Sequence, residues 1–329
     1  MAKFSRRRVI QSLFATSSLA MLPRHVAAQE DSYPSREIRV ICAFPAGSGA
    51  DVFARFFAEG MKPAFNRNII VENRVGASGN LATNYVARAK PDGYTLYIHT
   101  PSALAANMHL FKDPGHDAGK SFDVLGTVAT LRFTVSVAAS SPWKTLPELI
   151  AHLKTKGDKA SYGATAPTGQ VGGAMMKHVL NLGAVEVPYR TAADSVNDLA
   201  SGAIDFAMYD PIFALAQQRG GGVRVLAMTS GERMKSQPDI PTMIEGGVPG
   251  VDLVGWWGLV APKGVSEPIK KKLGEAFRMM AERPETRDFL AKFGGDPLVI
   301  PADVAQKRFL DDIENWARYV KIANIEPKG

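Results

Sequence analysis

A chain of 329 residues that is 46% hydrophobic and 22% charged is too apolar to be disordered and long enough to bury two cores. Its formal charge of +7 points to an anionic partner, but Lys3, Arg6, Arg7, Arg8 and Arg24 all fall within the first 28 residues, where no acid occurs. Taking those five from the 39 basic residues leaves 34 against 32 acidic, and no later Lys/Arg run is interleaved with aromatics, so no nucleic-acid partner is expected.

Residues 1–28 have the layout of a signal peptide: a charged Ser5-Arg6-Arg7-Arg8, an apolar run from Val9 to Leu22, and small residues Val26-Ala27-Ala28 before Gln29. Ser-Arg-Arg-x-Val-Ile is similar to the twin-arginine export motif, with Val9, Ile10 and Gln11 departing from its commonest residues, so the general secretory route stays open. The expectation is a periplasmic protein, processed near Ala28, with no stable membrane insertion, because no later run of eighteen apolar residues follows. The single cysteine, Cys42, lies inside the first strand and reads as a small buried hydrophobe.

Ile38 to Phe44 is a nearly continuous apolar run, as in a strand covered on both faces. Pro45 ends it, Gly47-Ser48-Gly49-Ala50 removes bulk, and Val52, Phe53, Phe56 and Phe57 predict one face of a helix. A tight turn opening into a helix N-terminus presents free amides suited to a carboxylate or phosphate; equally, it is an ordinary βα turn. The pattern recurs in strand 68–73, glycine-rich turn 74–80 and helix 81–89. Pro91-Asp92-Gly93 then leads into strand 94–99, which opens onto Thr100-Pro101-Ser102. Three strands deliver small, polar loops from their carboxyl ends, the edge at which open α/β sheets bind ligands.

Residues 123–138 are β-like and contain a crossing into a second lobe, followed by a helix that begins at Thr145-Leu146-Pro147-Glu148. Alternation resumes with strand 160–164, loop 165–173, helix 174–182, strand 185–189, loop 190–194, helix 195–201, strand 204–209 ending at Asp210-Pro211, and strand 223–229. An aromatic strand, 254–261, and amphipathic helices 266–281 and 304–322 return to the first lobe. The fold class is α/β with two discontinuous lobes, residues 33–131 with 254–329 and residues 132–253, and a ligand cleft between them.

Phe44-Pro45-Ala46-Gly47-Ser48-Gly49-Ala50-Asp51 resembles the F-P-P-G-G-x-x-D turn of the Bug/TctC family, the extracytoplasmic solute receptors of tripartite tricarboxylate transporters. Val71-Glu72-Asn73-Arg74 with Gly76-Ala77-Ser78-Gly79-Asn80, then Pro91 to Leu96, Val187-Pro188-Tyr189-Arg190, Leu199 to Asp205, and Pro238-Asp239-Ile240-Pro241-Thr242 continue the match in order. The resemblance implies a periplasmic-binding-protein fold of the Venus flytrap kind, type II, closing on a small carboxylic acid. The acid is a di- or tricarboxylate, an amino acid or an aromatic acid, and is presented by a monomer to the permease subunits. Carried onto this chain, the ligand-binding candidates are Pro45, Ala46, Gly47, Ser48, Gly49, Thr100 and Ser102 in the first lobe. In the second they are Thr165, Ala166, Thr168, Gly169 and Asp210. Ala46, Ser48 and Pro167 depart from the family pattern and bear on ligand identity.

Asp51 is expected to start the helix, Asp210 to hold a loop or accept from a ligand ammonium, and Trp256 and Trp257 to alternate across a strand. Enzyme readings find no support: no dinucleotide or P-loop fingerprint, no G-x-S-x-G and no histidine cluster with metal-ligand spacing, so neither cofactor nor metal is expected. A signalling receptor with the same ligands, or a secreted hydrolase or isomerase using the cleft, are the alternatives.

Overall fold

A computed structural model describes residues 33–329; the signal-peptide expectation for residues 1–28 lies outside the described residues. The apolar run becomes β1 (Ile38–Cys42), which pairs in parallel with β2 (Ile69–Asn73) on one side and β3 (Thr95–His99) on the other. Burial pushes the Cys42 thiol up to about 11, so it stays a thiol at neutral pH. Helix α1 (Gly49–Phe65) follows and buries Phe53, Ala54, Phe57 and Met61. Val52 is 39% exposed rather than on the buried face, because the helix meets the sheet through the 53–57–61 stripe. Phe56, at the border, stacks on Phe289 with centroids 3.9 Å apart.

Helices α2 (Asn80–Ala87), α3 (Pro101–Leu110) and the single turn α4 (Ala118–Ser121) lead to β4 (Phe122–Arg132). The expected strand 123–138 is in fact two: β4 ends at Arg132, and β5 (Thr134–Ala138) starts after Phe133 in another sheet. Next come α5 (Leu146–Lys156), β6 (Ser161–Ala164), α6 (Pro167–Val179), β7 (Val185–Pro188), α7 (Ala192–Ser201), β8 (Phe206–Tyr209), α8 (Pro211–Arg219) and β9 (Val223–Met228). The chain returns through β10 (Val254–Pro262), α9 (Glu267–Ala281), α10 (Pro284–Phe293), β11 (Gly295–Pro297) and α11 (Ala302–Ile322).

The first sheet has six strands in the order β11-β4-β10-β3-β1-β2, and the second has five in the order β7-β6-β8-β5-β9. In each, the parallel strands direct their carboxyl ends to one edge, and antiparallel strands complete the sheet. Trp256 and Trp257 point to opposite faces of β10: Trp256 joins a core with Leu104 and Phe309, and Trp257 stacks on Phe53 with centroids 4.4 Å apart.

The two passages between the sheets are tied together. The Phe133 amide donates to the Thr229 hydroxyl at 3.0 Å, and that hydroxyl donates to the Leu253 carbonyl at 3.0 Å. The Thr229 amide donates to Phe133 O at 2.9 Å, and the Leu253 amide to Thr229 O at 2.7 Å.

Candidate functional site

Four helices begin after the carboxyl ends of strands, two from each sheet: α1 at Ser48 after a short turn, α3 at Thr100, α6 at Ala166 and α8 at Asp210. Three of them carry proline at their first position, Pro101, Pro167 and Pro211, where the missing N–H costs nothing and φ is already helical. This corrects the expected loop 165–173: the helix starts at Pro167, so Thr168 and Gly169 lie in its first turn.

The turn before α1 is organised by Asp51, which is 2% exposed. Its carboxylate accepts from the Gly47 amide at 2.8 Å, Arg55 Nε at 2.9 Å and Asn73 Nδ2 at 2.7 Å. Burial alone would raise its carboxyl, but the bonds from Arg55, Asn73 and Gly47 outweigh burial and hold it below the usual range. The Ser48 hydroxyl accepts from the Asp51 amide at 3.3 Å as the N-cap, and the Ser48 amide donates to Pro45 O at 3.1 Å. Two candidate groups, the Gly47 amide and the Ser48 hydroxyl, are therefore already engaged within the turn. The first-turn amides of Gly49 and Ala50 have no intrahelical acceptor. Gly47 has φ +79, with nothing within 4 Å of where a Cβ would stand. Gly47→Ala is expected to lower stability by about 1–2 kcal/mol through backbone strain alone, read from urea unfolding. An unchanged midpoint would mean that the turn relaxes.

On β3, Thr100 is the N-cap of α3, and its carbonyl accepts from the Ala103 amide at 2.8 Å. The Ser102 hydroxyl donates to Asp312 Oδ2 at 3.3 Å, and the same oxygen accepts from the Trp256 indole at 2.8 Å, so the Ser102 amide remains at the helix end beside the Thr100 hydroxyl, which makes no cap bond. In the second sheet, Thr165 and Ala166 are half-buried, and Thr168 and Gly169 are buried. A Cβ on Gly169 would stand 3.0 Å from Met208 O and from the Phe133 ring, so this position needs glycine for close approach. Asp210 caps α8 by accepting from the Phe213 amide at 3.0 Å, and burial pushes its carboxyl upward despite that bond.

The two edges meet. A Cβ on Gly49 would fall 2.7 Å from Ile212 Cγ2 and 3.5 Å from Asp210 Oδ1, and Ala166 packs on the cluster that contains Phe133, Ile212 and Trp257. Pro45 and Ala46 lie at the rim of the same junction, with Ala46 exposed. No Lys or Arg occurs in the four turns, 44–51, 99–103, 164–170 and 209–213. Charge at this edge comes from helix ends instead, equivalent to about half a positive charge each. Sequence reasoning left Phe44 and His99 out of the site and read Trp257 as alternating across a strand; the three rings line the carboxyl edge of β1 and β3. The signal available for His99 was its place immediately before Thr100. Arg74 is occupied locally, paired with Glu72 at 2.6 Å and stacked 3.6 Å over Tyr85.

Two surface cavities lie elsewhere and include none of the candidate residues. One of about 680 Å³ lies between α9 and residues 299–306, and one of about 510 Å³ runs beside α2, with Arg36, Arg74 and Arg88 in its wall. Among the described residues, no group of three His, Cys, Asp or Glu is placed to hold a metal ion, and no helix is long and apolar enough to cross a membrane.

An Agrobacterium vitis protein encoded in the TAR-I ttuE-ttuC' intergenic region is 30% identical over 305 residues, covering 91% of this chain and 87% of its own. The solved periplasmic binding protein BugD superposes with a TM-score of 0.83 at 29% identity, covering 90% of this chain and all of BugD. An R. palustris protein solved with adipate gives a TM-score of 0.83 at 26% identity, over 90% of this chain and 99% of that one. The family model described as "Tripartite tricarboxylate transporter family receptor", TctC, matches residues 53–325. With helix ends from two sheets facing one another across the junction, this chain belongs to the TctC receptor family and has its two-lobed fold.

Proposed function

We propose that this solute-binding protein captures a small carboxylic acid in the periplasm, closes its two lobes on it as a monomer, and delivers it to the membrane subunits of a tripartite transporter. The observation that carries the reading is the convergence of four helix N-termini, two from each sheet, at a junction whose turns contain no cationic side chain. First-turn amides of Gly49, Ala50, Ser102, Thr168 and Gly169 suit a carboxylate, and supply it from opposing sides. Pro45, Ala46, Thr165 and Asp210 shape the rim. The adipate-bound R. palustris relative is consistent with a carboxylate ligand. The lobes comprise residues 33–131 with 254–329 and residues 132–253, and pivot where Phe133, Thr229 and Leu253 are bonded together. Partial charges favour an acid with few charges to neutralise over a citrate-like one.

Thermal unfolding with adipate, malate, citrate, aspartate and benzoate tests this. An acid present at 100 times its dissociation constant is expected to stabilise the native state by about 2.7 kcal/mol. A folded, ligand-free protein that responds to none of a broad panel of acids would overturn the reading.

A further inference from the structure

β3 ends in His99, one residue before the cap of α3, and the residue is only 3% exposed. Neither ring nitrogen has a hydrogen-bond partner; Nδ1 is fully buried, whereas Nε2 is not. Among the described residues, three other histidines each have a nitrogen engaged: His109 Nε2 with Ile313 O at 2.7 Å, His116 Nδ1 with Asn84 Oδ1 at 3.0 Å, and His152 Nε2 with Asp205 Oδ1 at 2.9 Å, although His116 Nε2 is also buried without a partner. A buried polar nitrogen without a partner is the uncommon case in a folded protein.

The surroundings of the ring place it at the ligand edge of the sheet. It stacks on Tyr97 with centroids 4.6 Å apart, and lies 5.3 Å from the half-buried Phe44 and 6.3 Å from Trp257. Its Nε2 would be 3.7 Å from a Cβ on Gly79, which closes the second glycine-rich turn. That turn is strained: Gly76, Ala77, Ser78 and Gly79 have φ of 147, 47, 53 and 91, and the Ser78 carbonyl is pinned by Asn107 Nδ2 at 2.9 Å. The two glycine-rich turns thus converge on one imidazole. Tyr97 does not satisfy it, since its hydroxyl is paired with Thr83 at 3.2 Å.

Resting on the carboxylate-receptor reading above, we infer that His99 contacts the ligand, its Nε2 forming a hydrogen bond with an uncharged hydroxyl or carbonyl group of an acid whose carbon body packs on Phe44. Burial pushes the imidazole down to about 3, so the ring is neutral, with one N–H and one lone pair to offer. The residues around it, Ala43, Phe44, Gly79, Tyr97 and Trp257, bring no positive charge. A second carboxylate there would lose its hydration with no counter-charge, whereas a hydroxyl or carbonyl matches a neutral imidazole. The carboxylate end of the ligand goes to the helix N-termini, and His99 selects what the rest of the molecule carries.

Titration calorimetry on matched acids, namely hexanoate with 6-hydroxyhexanoate, benzoate with 4-hydroxybenzoate, and succinate with malate and 2-oxoglutarate, tests this on the parent, His99→Phe and His99→Gln proteins. The parent is expected to bind the hydroxyl- or carbonyl-bearing member of at least one set about tenfold more tightly than its unsubstituted counterpart. His99→Phe should lose that preference while still binding the plain acid, and His99→Gln, which keeps a donor and an acceptor, should retain part of it. Nitrogen-15 resonances of the His99 ring should shift on saturation, a readout that stands even where a variant does not fold. Equal preference in parent and His99→Phe, a parent indifferent to every substituent, or ring resonances that do not move would each overturn the inference while leaving the receptor reading intact. If no acid binds the parent at all, the receptor reading fails and this inference with it.

Discussion

Gly49→Val is expected to weaken capture of the cognate acid by about ten- to a hundredfold while leaving the fold as stable as the parent. A Cβ at this position lies 2.7 Å from Ile212 Cγ2 and 3.0 Å from Ile212 Cβ, across the junction between the sheets, and the two methyls of valine reach further. Overpacking of this kind costs about 1–3 kcal/mol, and the strain is relieved simply by parting the lobes, so it falls on the closed form alone. Gly49 does not use a positive φ, so its own backbone tolerates the change. Calorimetry should show the lost affinity, and small-angle scattering should show a protein that no longer contracts when the acid is added. Ile212→Ala in the same chain should restore part of both, which ties the effect to this contact rather than to the helix end. Parental affinity and contraction in Gly49→Val would show that the junction opens elsewhere.

Asp51→Ala is expected to lower stability by about 2–4 kcal/mol at neutral pH. Removing the carboxylate leaves the Gly47 amide and Asn73 Nδ2 without this acceptor; Arg55, with a side chain 48% exposed, re-enters water at little cost. The pH dependence has a definite sign. The folded carboxyl is held below the usual carboxylate range, so its contribution is present above that range and is lost as pH falls through the folded value. Urea titrations at pH 7 and in acid should therefore converge for parent and Asp51→Ala as pH drops. Curves that stay parallel down to strong acid would show that Asp51 holds nothing in this turn.

The parts of this fold visible in the sequence are those carried by local periodicity. The continuous run at Ile38 and the aromatic run at Val254 became buried strands, and within residues 123–138 the chain passes from one sheet to the other at Phe133. The sequence reading contains no helices α3, α8 or α10, and α6 starts earlier than expected. Pro101, Pro167, Pro211 and Pro284 each stand at the first helical position, where a proline opens a helix instead of ending one. Glycines in α6 added to the misreading, since Gly169 and Gly173 serve close approach, the latter against the Tyr162 ring 2.4 Å from where a Cβ would stand. At the site, the four strand ends were legible because small residues after an apolar run are a local pattern, although only the turn before α1 was expected to open into a helix. The partners that commit particular atoms were not: Asp312 reaches Ser102 from 210 residues away, and Asn73 reaches Asp51 from 22. The buried, unpartnered state of His99 exists only once Phe44, Gly79 and Trp257 are folded around it.

The bonds that join Phe133, Thr229 and Leu253 carry a thermodynamic consequence. Because the two inter-sheet passages are fastened to each other, the proposed closure would reduce to a bend about one short segment, instead of the independent torsions of two loops. Each backbone residue that must be ordered on binding costs about 1–2 kcal/mol, and these passages are already tied by hydrogen bonds in the ligand-free protein. The turn at Gly47 is likewise fixed in advance by Asp51. On the proposed reading, little of the interaction energy would be consumed in ordering the receptor, so a few amide contacts with partial charges would hold a small, weakly charged solute.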